Sequence, residues 1–203
     1  MKRLLITGFD PFGGATVNPS WMAVERLPDQ IGECVLCKLQ IPTVFGKAAT
    51  AVLETARQFC PDTILCIGQA GGRAAVTPER IGVNIRDARI PDNAGNQPRG
   101  EFVDPQGPAA YFSTLPVEAM AQAIRDAGVD ATVSNSAGAF VCNDVLYSLL
   151  HHYDGTAVRC GFVHVPYIPE QGAPSMELEQ IVQEEVYGNG ASVRAVFIRI
   201  FDL

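Results

Sequence analysis

Ala131-Thr132-Val133-Ser134-Asn135-Ser136-Ala137-Gly138-Ala139-Phe140-Val141-Cys142-Asn143 passes from a short apolar run, through a turn of small residues, into a segment of helical character. Together with its continuation to Pro166, this stretch decides the fold. Ala131 to Ser134 reads as a strand and Val141 to His152 as a helix. Arg159 to Val165 reads as a second strand, ended by Pro166. Strand, helix and strand in that order predict a βαβ unit, whose crossover is right-handed. The helix N-terminus and the end of the second strand then share one edge of the sheet, so Cys142 and His164 face each other across it. A thiol at a helix start feels the positive end of the dipole and unpaired N–H groups, which favour thiolate. A histidine beside it suits a base that takes the thiol proton and later protonates a leaving amine. The competing reading is a small buried hydrophobe next to a core histidine.

Similar elements extend in both directions. Leu4 to Thr7, Cys34 to Gln40 and Thr63 to Ile67 read as strands, and Lys47 to Phe59 as a helix with an apolar stripe. Leu115 to Ala127 reads as a helix with Pro116 in its first turn and Gly128 as its stop. A helix over Ser175 to Tyr187 and a last strand over Val193 to Ile200 complete the pattern, with Ile81 to Ile85 as an added strand or hairpin. The alternation predicts an α/β fold: a single-domain three-layer α/β/α sandwich on a mostly parallel, mixed central sheet, spanning residues 1–203. Arg86 to Pro108, rich in Pro, Gly, Asp and Asn, reads as a long loop, and loops of that length in compact domains tend to be functional.

Composition narrows the function. The chain has 203 residues, 47% hydrophobic and 18% charged, which is globular rather than disordered. A net charge of −7 with no block of Lys or Arg argues against nucleic acid and anionic membrane surfaces as partners. Met1-Lys2-Arg3 before Leu4 to Gly8 imitates a signal peptide, but its apolar run is too short and breaks at Asp10-Pro11. The expectation is a cytoplasmic protein with its six cysteines reduced. Cys34 and Cys37 have CxxC spacing in a strand, where residues three apart point to opposite faces, so the pair reads as structural. Three histidines, two of them adjacent at 151 and 152, give little support to a metal.

In such sheets ligands bind beyond the carboxyl ends of the strands. Two glycine-rich loops stand there, Gly8 to Gly14 and Gly68 to Arg73. The first lacks the Lys-Ser/Thr of a P-loop and the second the spacing of a dinucleotide fingerprint, so no nucleotide cofactor is expected. Phe9 and Phe12 suit a small, flat, neutral ligand, or else pack in the core. A third group should orient the imidazole. Glu79, Asp87, Asp92 and Asp144 compete for that role, and spacing does not choose among them.

The chain resembles the pyroglutamyl peptidase type I, or pyrrolidone-carboxylate peptidase, family of cysteine peptidases. Seven blocks in order carry the resemblance: Thr7 to Phe12 with Asn18 to Trp21, Gly68 to Arg73, Glu79 to Ile85, Asp87 to Asn93, Gly107 to Phe112 with Leu115-Pro116, Ser136 to Gly138 with Cys142-Asn143, and His164 to Tyr167. It implies a catalytic triad of Cys142, His164 and Glu79, and removal of N-terminal pyroglutamyl residues from peptides. It further implies a single α/β/α domain, no metal, and a homotetramer. Phe9 and Phe12 fall where the family holds the pyroglutamyl ring, with Gln69 and Arg89 close by. Two departures stand beside the nucleophile and the acid: Ala139-Phe140 where the family commonly has Thr-Tyr, and Gly82 where Ala is common. The alternatives are another cysteine amidase or acyl transferase on the same fold, and a silent small-molecule-binding protein that has kept the pocket.

Overall fold

β1 (Lys2–Phe9) is buried from Leu4 onward, as a strand covered on both faces must be. Alternate residues go to opposite layers: Leu4 and Ile6 join one apolar cluster, Leu5 and Phe9 the other. β4 (Thr63–Gln69) divides in the same way, with Leu65 and Ile67 against Ile64 and Cys66. In β3 (Cys34–Ile41) the CxxC pair also splits between the two clusters, as its spacing predicts. One layer is closed by α1 (Pro19–Glu25) and α3 (Val117–Asp126), the other by α2 (Lys47–Phe59) and α4 (Val141–His152). The computed structural model describes residues 1–168 and 171. The helix expected over 175–187 and the strand expected over 193–200 lie outside the described residues.

The remaining strands are β2 (Gln30–Ile31), β5 (Thr77–Pro78), β6 (Ile81–Val83), β7 (Ala110–Phe112) and β8 (Arg159–Val165). The main sheet runs β2-β3-β1-β4-β8-β5. β3, β1, β4 and β8 are parallel, and antiparallel β2 and β5 stand at the edges. This is the mostly parallel, mixed sheet that the sequence predicts. β6 and β7 form a separate antiparallel pair, so Ile81 to Ile85 supplies the added strand of the two expected alternatives, and its partner comes from beyond the 86–108 loop instead of from a local hairpin.

One expectation fails. Ala131 to Ser134 is not a strand, and makes only isolated parallel bridges, Val76 to Ala131 and Glu79 to Ser134. Four hydrogen bonds alternate between the segments: Val76 N to Asp130 O, Thr132 N to Val76 O, Ser134 N to Pro78 O and Arg80 N to Ser134 O. The rung that would join them needs an N–H at residue 78, and Pro78 has none. The segment lies beyond β5 and runs antiparallel to β8, so it forms no βαβ unit with it. Cys142 and His164 share a sheet edge for a simpler reason: α4 starts at that edge, returns along the sheet, and β8 brings the chain back.

Candidate active site

β4 and β8 end side by side, with Gly68 paired to His164. α4 begins above them, its N-cap position taken by Phe140 with no side-chain cap, so its first N–H groups are not consumed by a capping residue. A Cβ at Gly68 would stand 2.6 Å from Phe162 Cζ and 3.0 Å from Cys142 Sγ. Only glycine lets the thiol sit this close to the sheet.

Cys142 and His164 open into one cavity of about 470 Å³. Phe9, Phe12, Gln69 and Arg89 also line it, so the structure brings together every residue named for the ligand. Phe9 is both core and wall, since it is buried and its ring centroid lies 6.2 Å from that of Phe162. Phe140 adds a further aromatic wall, packing edge-on to Phe45 at 5.3 Å and tilted to Phe12 at 6.1 Å. Gln69 Oε1 accepts from Gln171 Nε2 at 2.9 Å.

Glu79 is fully buried and lies behind His164, its Oε1 2.7 Å from His164 Nδ1. A carboxylate only accepts, so Nδ1 carries the proton and Nε2 keeps its lone pair. The other three acids are engaged elsewhere. Asp144 accepts from Arg86 Nε at 2.6 Å and Gly46 N at 2.7 Å. Asp92 accepts from Phe45 N, Ala94 N and Asn96 N, and Asp87 lies 3.7 Å from Arg99 on the surface. Of the four acids, Glu79 is the one bonded to His164 among the described residues.

Burial pushes the Glu79 carboxyl up, but the hydrogen bond and charge of His164, helped by the nearness of the Ser134 hydroxyl and by Arg73, more than offset it and hold the group below 4.5. Burial likewise pushes the His164 imidazole below 6.5, against the pull of Glu79, and Arg73 adds to the lowering. The resting pair is carboxylate and neutral imidazole. Cys142 departs from the expectation of a resting thiolate. Burial, and then the charge of Glu79, push its thiol up to about 12 against the pull of Arg73 and its own N–H. Its partial exposure to the cavity works against that push. The helix terminus is present as expected, but desolvation outweighs it.

The loop from Arg86 to Pro108 is held by its own polar groups. Arg86 reaches Asp144, the buried Asp92 gathers Phe45 and the 94–96 turn, and Asn93 Nδ2 donates to Pro11 O at 2.9 Å. These contacts fix the strap that carries Arg89 to the cavity. Asn143, next to the thiol, is buried and clamps β6 to α4 through Val83 N, Val83 O and Ile85 O. Its place in the Cys142-Asn143 block is visible in the sequence, but this clamp is not. Arg73 is a further residue that sequence reasoning does not single out. Its Nη1 reaches Glu79 Oε1 and Thr77 Oγ1, both at 2.5 Å, and its Nη2 donates to Ser136 O at 2.9 Å. Two adjacent glycines before an arginine in a strand-end loop are the available signal.

Among the described residues no group of three or more His, Cys, Asp and Glu could hold a metal ion, and no helix is long and apolar enough to cross a membrane.

Comparison with known proteins shows the family to which the chain belongs. The model of the pyroglutamyl peptidase family matches residues 2–195. A pyrrolidone-carboxylate peptidase of Levilactobacillus brevis is 49% identical over 203 residues, covering 97% of this chain and 98% of its own. The crystal structure of pyroglutamyl peptidase I from Bacillus amyloliquefaciens superposes with a TM-score of 0.85 at 46% identity, over 96% of this chain and 97% of that one. Pyrrolidone carboxyl peptidase from Thermococcus litoralis gives a TM-score of 0.86 at 36% identity, over 100% and 96%. This chain belongs to the pyroglutamyl peptidase family of peptidases.

Proposed function

We propose that the chain is a cysteine peptidase that removes N-terminal pyroglutamyl residues from peptides, with Cys142 as nucleophile, His164 as proton carrier and Glu79 as the acid that orients it. The observation that carries this reading is the convergence at one sheet edge: Cys142 and His164 open into a single aromatic-walled cavity while Glu79 grips the far nitrogen of the imidazole. Pyroglutamate is a neutral lactam with no free amine. A cavity walled by Phe9, Phe12 and Phe140, with Gln69 at its side, offers it shape and neutral hydrogen bonds, beside the Arg89 that lines the same cavity.

The protonation states set the order of events. The thiol is neutral at rest, so His164 Nε2 takes its proton as sulfur attacks the acyl carbon. Glu79 stabilises the imidazolium so formed and keeps the ring in register. The first N–H groups of α4, that of Cys142 foremost, with the Arg89 region, receive the developing oxyanion. His164 then gives its proton to the departing peptide amine, which leaves a thioester on Cys142. Water attacks the thioester as His164 accepts its proton, and pyroglutamate leaves with the thiol restored. Every step uses the chain's own groups. A homotetramer and a single domain complete the proposal on the strength of the family resemblance, and a cytoplasmic location on the reduced state expected of the six cysteines.

Cys142→Ala should abolish hydrolysis of a pyroglutamyl anilide while the circular dichroism spectrum is unchanged, and retained activity would overturn the assignment. Run beside prolyl and glutaminyl anilides, the wild type should favour the pyroglutamyl substrate. A preference for either of the others would point to a different amidase.

A further inference from the structure

Arg73 enters none of the steps above, yet its guanidinium touches three pieces of the site at once. It rises from the loop after β4 and meets Thr77 in β5, Glu79 just beyond β5, and the Ser136 carbonyl in the turn that leads to Cys142. Building on the hydrolytic reading of Cys142, His164 and Glu79, we propose that Arg73 is a positioning residue of the reaction: it holds the Glu79 carboxylate against the imidazole and ties that carboxylate to the turn that presents the nucleophile.

Three observations carry the inference. Glu79 Oε1 receives both Arg73 Nη1 and His164 Nδ1, while Oε2 has no partner among the described residues. Ser134 lies nearby, but its hydroxyl donates to Ser136 O at 3.1 Å. A carboxylate held by one oxygen is free to swing unless that oxygen is pinned from two sides, and Arg73 is the second pin. Next, Glu79 is wholly buried whereas the Arg73 side chain keeps 30% of its surface. The cation can stay partly solvated while it stabilises an anion that burial alone would neutralise. Last, the planar fork serves acceptors on separate elements, which a lysine ammonium cannot match. The Ser136 carbonyl is drawn to Arg73, and Gly138 N donates to Ser136 Oγ at 3.2 Å, so the turn is fixed on both sides before α4 begins.

The charge has its own effect. The titratable and charged groups around the imidazole are Glu79 beyond β5, Cys142 on α4, Cys66 on β4, Arg73 itself, and Arg89 on the same cavity. A cation here resists protonation of the Cys142–His164 pair. Whichever member gives up the first proton, removing the cation raises that macroscopic pKa. The acid limb of the rate profile should then move to higher pH.

The test compares Arg73→Gln, Arg73→Lys, Cys142→Ala and the wild type on a pyroglutamyl anilide across the pH range, with thermal midpoints recorded in parallel. For Arg73→Gln, kcat should fall on the order of 10- to 100-fold, as loss of an outer-shell partner does elsewhere. KM should change little and the acid limb should shift upward. Arg73→Lys should restore the position of the limb, because it restores charge, yet recover kcat only in part, because it lacks the fork. A thermal midpoint that falls while kcat and the acid limb stay put would make Arg73 a structural strap and overturn the inference. A rise in KM alone would overturn it too, as it would place Arg73 in substrate binding. Should Arg73→Gln not fold, the Lys variant decides: reduced kcat with an unmoved limb supports the inference, and wild-type kcat refutes it. Activity in Cys142→Ala would instead refute the hydrolytic reading itself, whatever Arg73 does.

Discussion

Asp144 and Glu79 are both fully buried carboxylates, and each pairs with an arginine that keeps part of its side chain in solvent. Asp144 uses both oxygens, one for Arg86 and one for the amide of Gly46, the N-cap residue of α2. It joins α4, α2 and the 86–108 strap. Glu79 uses one oxygen twice and leaves the other without a partner among the described residues. The difference teaches that burial and ion pairing do not identify a catalytic acid. Asp144 is satisfied by structure, whereas Glu79 is aimed at an imidazole that opens into a cavity.

The sharpest way to break that comparison is to neutralise each acid in turn. Glu79→Gln keeps the shape but loses the charge that stabilises the imidazolium, so kcat should fall roughly 10²- to 10⁴-fold. Its urea midpoint should change little by comparison. Asp144→Asn should do the reverse. Stability should drop by about 1–3 kcal/mol as charged hydrogen bonds to Arg86 and Gly46 are lost, with activity per folded molecule reduced far less. Equal activity losses in the two variants would show that the two acids play the same part.

A smaller effect should appear in the pH dependence of stability. The folded His164 titrates below 6.5 and the folded Glu79 below 4.5, each lower than its ordinary value. In acid the unfolded chain therefore binds more protons, and stability falls as pH falls. The His164 contribution is complete above about 6.5 and is lost as pH drops below it. That of Glu79 begins to be lost below about 4.5. Each group contributes a slope of at most about 1.4 kcal/mol per pH unit. Urea midpoints at pH 7.5, 6 and 5 should show the upper part of this decline in the wild type and a flatter line in His164→Gln. Identical slopes would show that the imidazole is not the group being titrated.

What is legible in the sequence depends on where the determining contacts lie along the chain. α2 has the bounds its apolar stripe predicts, and α4 and β8 match as well, because local periodicity and stop signals define them. α1 is too short for a periodic stripe, although Asn18-Pro19 marks its start: Asn18 caps Ser20 N, and Pro19 occupies the first turn. The failed strand at 131–134 depends on Pro78, more than fifty residues earlier, which no local reading weighs. Cys142 and His164 fall together as expected, since the α4–β8 return alone sets them on one edge. Glu79 reaches His164 across 85 residues of sequence, and Arg73 reaches Ser136 across 63. Contacts of that span are invisible to spacing, so the family resemblance names the first and nothing names the second. The thiolate expectation fails because desolvation depends on the packed surroundings, whereas a helix start can be read from the sequence.

The mildest perturbation tests whether Glu79 is held independently of the packing next to it. Gly82 lies three residues beyond it in β6, where Ala is common in the family. A Cβ there would stand 3.1 Å from Leu146 Cγ and from Tyr147 N. The leucine can rotate away, but the helix backbone cannot, so β6 must shift by a few tenths of an ångström. Asn143 resists that shift, because it bonds Val83 on both its N–H and its C=O. Glu79 is anchored on the other side, by Phe162 O to its amide and by Arg73 and His164 to its carboxylate. Gly82→Ala should therefore cost stability by roughly 1 kcal/mol from overpacking, at the low end of such substitutions. The value of kcat/KM on the anilide should stay within about twofold, since a uniform factor of two is only a few tenths of a kcal/mol in the barrier. A loss approaching that of Glu79→Gln would mean that the acid takes its aim from the β6–α4 contact instead of from the pins on its own carboxylate.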